Sequence, residues 1–306
     1  MSTIPHIPAL RRGRAYESLD KSEVKDHRTG EVKAVLSQVN GGIVRKDLQR
    51  LGESRNALKK FSSAQLLEIC AGAGEKFLNG TLPLGDNGSV QSAQQYIETL
   101  SSTSGLPHVM VRRNMTKIHS ALTNMRSILN GLTRGLDLSL LDAGFGELGG
   151  TPISFYPTTQ ALGLVMPSNS PAVNSLWLPA IALKIPVMIK PGREEPWTPF
   201  RLIQAFIAAG CPNEAFGFYP TDHEGAAEIL KSRPTAVVAI ARKTTGSHGG
   251  RCSILIAISE SWVEPAIPYI NENPYARNPV ENAPNNRYFS AASFDRLSDR
   301  RNPTIT

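Results

Sequence analysis

The sequence predicts an α/β fold in which a parallel, Rossmann-like sheet follows a helical region. Three observations carry this prediction: short apolar runs in the second half of the chain, helical stretches between them, and longer periodic segments before them. Strand-helix-strand alternation at this spacing favours parallel strands joined by crossover helices. With 306 residues and 41% hydrophobic content, the chain can bury two cores of ordinary size, which argues against wholesale disorder.

Changes in composition and the positions of Pro and Gly divide the chain into four predicted segments. Residues 1–42 carry scattered Pro, Gly and charge and predict an extended arm with a hairpin, and residues 43–150 form a helical region. Residues 151–242 form the α/β core. Residues 243–306 contain many Asn and Pro residues, and their last 43 positions show no core periodicity, which is typical of irregular structure.

The helical region contains three predicted helices. Ser62 and Ser63 can cap a helix that runs toward Phe77 and ends at Gly80, and a second helix is predicted over residues 90–100. A third is predicted from apolar residues at steps of three and four: Met115, Ile118, Leu122, Met125, Ile128 and Leu132. This stripe indicates a helix that faces the core. Residues 136–142 also look helical.

The α/β core contains four predicted strands, each a short apolar run of the kind found in buried sheets. They cover residues 162–166, 187–189, 216–219 and 236–240. The best-marked helix between them covers residues 199–209, with Thr198 as its cap and Gly210 just past its end.

Charge and cysteine content exclude several classes of protein. The net charge is +7, and residues 1–60 hold thirteen Lys or Arg against seven Asp or Glu. Acidic residues alternate with these basic ones and no aromatic residues are interleaved, so we expect no nucleic-acid partner. The most apolar stretch, residues 171–190, is interrupted by Asn, Lys and Pro, so we expect no membrane span. The odd number of cysteines does not indicate a disulfide framework, and the N-terminus lacks the layout of a secretory signal. We therefore predict a cytoplasmic protein.

Two suggestive patterns are rejected. Gly144, Gly146 and Gly149 match the dinucleotide fingerprint as a string, but that fingerprint needs a strand before it and a helix after it. Here the order is reversed, so we interpret the glycines as a flexible bridge. The six histidines have neither a second histidine nor a cysteine at metal-ligand spacing, and no metal site is predicted.

Ligands of open α/β sheets collect at the carboxyl ends of the strands. The loop after Met166 places Asn169 between two prolines, where its amide could donate to a developing oxyanion. An Asn turn that caps the next helix is the more common role of such a residue. The loop after Ile189 begins with Lys190 and Gly192, which suit a ribose or phosphate. Solvated surface charge is the alternative for this lysine.

Several of these motifs together resemble the cofactor half of the aldehyde dehydrogenase superfamily. The resemblance runs from the arm to about residue 235 and rests on residues 163–171, residues 178–184, Lys190 with Pro191, and residues 209–212. It is strongest to a divergent bacterial branch that is also similar to acyl-CoA reductases.

The resemblance implies NAD(P)-dependent oxidation of an aldehyde through a cysteine thioester. It implies Cys252 as the nucleophile and Asn169 as the oxyanion donor, with an aldehyde or acyl substrate and a homo-oligomeric assembly. Cofactor contacts are implied at Pro167, Ser168, Lys190, Gly192 and Arg193. Arg193 stands where many members have an acidic residue, so NADP should be accepted as well as NAD.

Members of this family are longer than this chain, which implies that residues 243–306 are the remnant of a catalytic domain. Cys252 is therefore either the nucleophile or a structural cysteine, as we expect of Cys70 and Cys211. The alternative function is a catalytically inactive, shortened protein that binds a cofactor or a partner.

Overall fold

The computed structural model describes residues 4–85, 88–155, 157, 159–168, 170–231, 235–242 and 252–255, the last two ranges as backbone only. The strands are β1 (His6–Ile7), β2 (Ala9–Arg11), β3 (Arg14–Tyr16), β4 (Lys21–Lys25), β5 (Val32–Ser37), β6 (Leu82–Pro83), β7 (Val90–Gln91), β8 (Phe145–Leu148), β9 (Thr151–Ser154), β10 (Ala161–Val165), β11 (Val187–Lys190), β12 (Phe216–Phe218), β13 (Thr235–Arg242) and β14 (Cys252–Leu255). The helices are α1 (Gly41–Leu48), α2 (Leu51–Lys59), α3 (Ser63–Asn79), α4 (Ala93–Ser104), α5 (His108–Thr123), α6 (Met125–Leu132), α7 (Leu140–Ala143), α8 (Leu178–Ala182), α9 (Trp197–Ala208) and α10 (His223–Lys231).

A seven-stranded sheet forms the centre of the fold, in the order β14-β13-β10-β11-β12-β2-β3. The four strands predicted from apolar runs, β10 to β13, lie next to one another and are parallel. The α/β fold and its parallel sheet are therefore confirmed. Antiparallel strands flank this parallel core on both sides, with β14 beside β13 and β2 beside β12.

The first 42 residues are more integrated than an extended arm. Strands β2 and β3 form a hairpin that extends the central sheet beyond β12. Strand β5 pairs with β1 in parallel and with β4 in antiparallel orientation, which makes a second sheet of three strands. A hairpin was expected here, but its docking against distant strands is a long-range effect that local sequence does not encode.

The ends of α3 follow the prediction. Ser62 forms a capping box with Gln65, and Gly80 ends the helix. The next helix, α4, starts later than predicted because Val90 and Gln91 form strand β7 and Ser92 makes its own capping box with Gln95.

Two further helix boundaries differ from those that the sequence predicts. The apolar stripe spans two helices, since α5 ends before Asn124 and α6 begins after it, and Leu132 is exposed. Thr198 is not the cap of α9: the helix begins at Trp197, and the Glu195 carboxylate accepts the Thr198 N–H.

The segment around Gly144 also differs from the prediction. Of the expected helix over 136–142, only residues 140–142 are helical, and they belong to α7. The glycines predicted to form a flexible bridge belong to an antiparallel hairpin of β8 and β9, in which Gly149 and Gly150 turn with φ of +58° and +80°. A two-residue turn with both φ values positive is the one that hairpins favour. The rejection of a phosphate loop is consistent with this geometry.

One hydrophobic cluster joins the helical region to the central sheet. It includes Leu66 and Phe77 of α3, Ile118 of α5, Ile189 of β11 and Phe206 of α9. The proposed segments 43–150 and 151–242 therefore share a core. None of the helices in the described part of the chain has the length and apolar character that a membrane crossing requires.

Candidate functional site

Two loops predicted to bind a cofactor lie side by side at the carboxyl ends of their strands. Val165, the last residue of β10, pairs with Lys190, the last residue of β11. The contact continues past the strands, because the Met166 N–H donates to the Lys190 carbonyl oxygen at 2.9 Å. The sequence-predicted neighbourhood of Pro167, Ser168, Lys190 and Gly192 is thus formed in the structure.

Gly192 allows the two loops to touch. A Cβ atom at this position would lie 2.6 Å from the Pro167 carbonyl oxygen and 2.7 Å from Ser168 Oγ. Such separations are too short for real contacts, and the nearest obstacle is backbone that cannot rotate away. The glycine is therefore required for close approach of one backbone to another.

These loops form one side of a cleft of about 870 Å³. Its lining includes all five predicted cofactor-binding residues: Pro167, Ser168, Lys190, Gly192 and Arg193. The other sides are made by strands β4 and β5, the end of α4, and the loop that follows β12. Most of the lining residues are polar or charged, and the volume of the cleft is in the range of small-molecule and cofactor sites.

Lys190 supplies a cation to this cleft. No hydrogen bond or ion pair joins its ammonium group to another residue within the described part of the chain. Burial and then the nearby Arg193 charge lower the pKa of Lys190, while Glu194 and Asp222 oppose that shift. A half-buried ammonium without a direct partner is suited to bind the oxygens of a ligand, because a ligand can restore the hydrogen bonds lost on burial.

The helical region braces the loop after β11. Thr103, at the end of α4, donates its hydroxyl to the Glu194 carbonyl oxygen at 2.7 Å and accepts the Trp197 indole N–H at 2.9 Å. The Glu194 N–H donates to Ser168 Oγ at 3.3 Å. The N–H and the carbonyl oxygen of Glu194 are thereby both hydrogen-bonded, which fixes the loop against its neighbour.

A buried carboxyl group lies just behind this loop. Glu195 is fully buried, and its Oε1 accepts the Thr198 N–H at 2.9 Å and the Thr198 hydroxyl, which also bonds to the Tyr96 hydroxyl. The second oxygen, Oε2, has no partner in the described structure. Burial raises the pKa of Glu195 to about 8, against the opposing effect of its Thr198 hydrogen bonds.

Known structures share this architecture. A NAD-dependent benzaldehyde dehydrogenase from Corynebacterium glutamicum superposes with a TM-score of 0.61 at 15% identity, covering 79% of this chain and 50% of that one. A succinate-semialdehyde dehydrogenase from Burkholderia pseudomallei gives 0.61 at 12% identity, covering 78% and 47%. A NAD-dependent aldehyde dehydrogenase from Sinorhizobium meliloti gives 0.58 at 15%, covering 77% and 45%. The chain has the fold of the aldehyde dehydrogenase superfamily.

This chain spans about half the length of the aldehyde dehydrogenases that it matches. No protein-family model matches the sequence, and no curated protein is significantly similar to it. The similarity to aldehyde dehydrogenases therefore lies in the fold.

The structure does not describe the side chain of either predicted catalytic residue. Asn169 lies outside the described residues, and only the backbone of Cys252 is described. Cys252 pairs with Arg242, three residues beyond Ala239, and Ala239 pairs with Val165. Since β13 and β10 are parallel, the Cys252 backbone lies toward the same carboxyl edge of the aldehyde dehydrogenase-like sheet as the cleft.

Cys70 and Cys211 have the structural character that the sequence predicts. Both are buried, and burial raises the pKa of Cys70 to about 12 and that of Cys211 above its usual range. Neither thiol is suited to act as a nucleophile. Among the described residues, no cluster of His, Cys, Asp or Glu is arranged to hold a metal ion.

Sequence reasoning missed half of the cleft. Thr221 and Asp222 follow β12, and the strand-end rule that selected the loops after β10 and β11 applies equally to this third parallel strand. Thr103, Leu36 and Gln38 could not have been found this way, because they come from elements that are remote in sequence.

Proposed function

We propose that the chain binds NAD or NADP in the cleft at the carboxyl ends of β10 and β11, as the cofactor of an aldehyde dehydrogenase-type oxidoreductase. The observation that carries the proposal is the cleft itself, which gathers four predicted cofactor residues around the fifth, the half-buried Lys190, whose ammonium has no direct partner among the described residues. Ligands of open α/β folds bind in this position.

The residues of the cleft fit a dinucleotide. Lys190 would donate to ribose hydroxyl oxygens, and Gly192 lets its loop pack closely against Pro167 and Ser168. Pro167 and Ser168 form the adjoining wall. Arg193 is exposed at the rim, where its guanidinium would attract a 2′-phosphate and so allow NADP. When bound, the nicotinamide accepts a hydride from the substrate.

The catalytic step is proposed for Cys252 and Asn169. The Cys252 thiolate would attack the aldehyde carbon and carry the acyl group as a thioester until water or another acceptor releases it. The Asn169 amide would donate to the developing oxyanion. The register of β14 supports this assignment, since it brings the Cys252 backbone to the carboxyl edge of the sheet.

Binding tests the cofactor site. Isothermal titration of the full chain with NAD+ and NADP+ should give saturable binding that weakens about tenfold or more in Lys190→Met, because the variant keeps the stem but loses the ammonium. Lys117→Met is the matched control, since Lys117 is exposed on α5 and does not line the cleft. Unchanged affinity in Lys190→Met would contradict the proposed site.

The preference between the two dinucleotides tests Arg193. Reversing the charge in Arg193→Glu should weaken NADP+ binding about tenfold relative to NAD+, because a carboxylate repels the 2′-phosphate. An equal effect on both dinucleotides would show that Arg193 does not contact the 2′ position.

Turnover separates the enzyme from the inactive alternative. Wild type and Cys252→Ser would be assayed with short and long aldehydes and either dinucleotide. Turnover that disappears in Cys252→Ser supports thioester chemistry at this residue. Cofactor binding without turnover in wild type supports a protein that binds a cofactor but performs no oxidation.

A further inference from the structure

A carboxyl group is buried directly behind the loop that follows β11. Glu195 is fully buried, whereas its neighbour Glu194 is exposed at the cleft. Oε1 of Glu195 accepts both the N–H and the hydroxyl of Thr198, so a proton on this carboxyl group lies on Oε2. Oε2 has no hydrogen-bond partner among the described residues. An ionised carboxylate needs partners on both oxygens, and this site supplies them on only one.

The helices packed against Glu195 do not offer a cation to balance its charge. From α4, the Tyr96 hydroxyl bonds to Thr198, and burial raises the pKa of this tyrosine above its usual range, so it stays neutral. From α9, Arg201 directs its donors to three backbone carbonyl oxygens. Among the described residues, neither side chain forms an ion pair with Glu195.

The other charged and titratable groups nearby face different partners. Arg193 and Glu194 belong to the same loop as Glu195 but are exposed at the cleft. His27, which follows β4, has its Nδ1 at 2.7 Å from the Ser102 carbonyl oxygen near the end of α4. Because none of these groups pairs with the buried carboxyl group, an ionised Glu195 can be stabilised only by reaching water.

Water lies one residue away from Glu195 along the loop. The backbone of Glu194 is held by two hydrogen bonds, from the Thr103 hydroxyl to its carbonyl oxygen at 2.7 Å and from its N–H to Ser168 Oγ at 3.3 Å. Two hydrogen bonds between neutral groups contribute less to stability than an unpaired buried charge costs. Ionisation of Glu195 therefore favours a conformation in which the loop leaves α4.

We propose that Glu195 is a pH-sensitive latch whose neutral form docks residues 191–195 against α4 and whose ionised form releases them. Four of these five residues line the cleft beside Lys190, so release removes one wall of the cleft. This regulation goes beyond the proposed function, because the latch is a property of the chain alone and operates without a ligand.

The sign of the pH dependence follows from burial. Burial raises the pKa of Glu195 to about 8 in the docked loop, from an ordinary 4.5 that applies once the loop is open. Opening therefore releases a proton. The equilibrium between docked and open loop should shift toward the open form as pH rises from 4.5 to about 8, and should level off above that pH.

Hydrogen exchange of the full chain, without any cofactor, tests the latch. Since one proton is released on opening, the opening equilibrium of residues 192–198 should increase about tenfold per pH unit between pH 6 and 8 in wild type. Mass spectrometry of the peptide that contains these residues measures it, after correction for the chemical exchange rate at each pH. This slope is measured on wild type and needs no variant.

Two variants show which carboxyl group is responsible. Glu195→Gln stays neutral, so its opening equilibrium should not change over this pH range. Glu194→Gln is the matched control, because it makes the same replacement one residue away at an exposed position. This control should keep the wild-type slope of about tenfold per pH unit.

Low concentrations of urea separate loop opening from global unfolding. Local opening exposes little surface, so exchange through it should not respond to urea, whereas exchange through global unfolding should accelerate. Exchange that is insensitive to urea and has the expected slope supports the latch. A flat pH dependence in wild type, an equal slope in Glu195→Gln, or exchange only through global unfolding would overturn it. Since no dinucleotide is present, such a result leaves the cofactor assignment standing.

Discussion

At the scale of single residues, the chain places two adjacent glutamates in opposite environments. Glu194 is exposed at the cleft, whereas Glu195 is fully buried against Thr198. Sequence alone does not distinguish them, because burial of Glu195 depends on Tyr96 from the distant helix α4, whose hydroxyl bonds to Thr198. The local pattern revealed that the loop matters but not which carboxyl group lies inside it.

The buried carboxyl predicts an unusual pH dependence of stability. The folded-state pKa of Glu195 is raised to about 8 from an ordinary 4.5, so the folded chain retains a proton that the unfolded chain releases. The free energy of unfolding should therefore fall as pH rises from about 4.5 to 8, by roughly 5 kcal/mol from this group. Urea unfolding of wild type and Glu195→Gln at several pH values measures it.

The glutamine variant should remove this contribution, because it stays neutral throughout the range, and should exceed wild type in stability at pH 8.5. Glu147→Gln replaces an exposed carboxyl on β8 and should keep the wild-type slope. Identical slopes in Glu195→Gln and wild type would mean that Glu195 is not protonated in the folded state.

At the scale of helices and strands, the sequence predicted correctly those features that depend on residues close together in the chain. Ser62 and Gly80 marked the ends of α3, and apolar runs marked the four parallel strands. Errors arose where tertiary contacts take precedence. Gln91 is drawn into strand β7 rather than a helix, and its carbonyl oxygen accepts from Arg201 of α9. The wall of the cleft that β4 and β5 form was missed for the same reason, because only the tertiary fold brings these strands next to the loops after β10 and β11.

The junction between the loops after β10 and β11 gives an element-scale prediction. Gly192→Ala should weaken NAD+ binding at least tenfold and lower stability by about 1–3 kcal/mol, because the added methyl group collides with the Pro167 backbone. Isothermal titration calorimetry measures the change in NAD+ affinity, and urea unfolding measures the change in stability.

Gly52 provides the matched control. It lies inside α2, and a Cβ there would meet nothing within 4 Å. Gly52→Ala should therefore stabilise the chain by up to about 1 kcal/mol through helix propensity and leave binding unchanged. If Gly192→Ala behaves like Gly52→Ala, the two loops are not in the close contact described.

At the scale of the whole molecule, the helical region and the α/β core are joined by one buried cation. Arg201 of α9 donates to the carbonyl oxygens of Phe77 at 3.1 Å, Gln91 at 2.9 Å and Gly80 at 2.6 Å. Its guanidinium also lies over the rings of Phe77 and Tyr96, at 5.8 and 5.4 Å. Burial lowers the pKa of Arg201 to about 10, which leaves it charged at neutral pH.

This arrangement predicts that the two regions unfold together. Arg201→Met should lower the free energy of unfolding by about 3 kcal/mol or more, since three carbonyl oxygens lose a charged donor. Arg112→Met removes an exposed guanidinium from α5 and should change stability by less than about 0.5 kcal/mol. Trp177 and Trp197 are buried beside the sheet, so their fluorescence, measured in a Trp262→Phe background, reports on the α/β core, while far-ultraviolet circular dichroism is dominated by the helices. The two signals should give one coincident urea transition in wild type, because a shared core cannot lose one side and keep the other.

Separate transitions would show that residues 43–150 and 151–242 are independent folding units. The support that Thr103 gives to the loop after β11 would then be too weak to hold the cleft in shape.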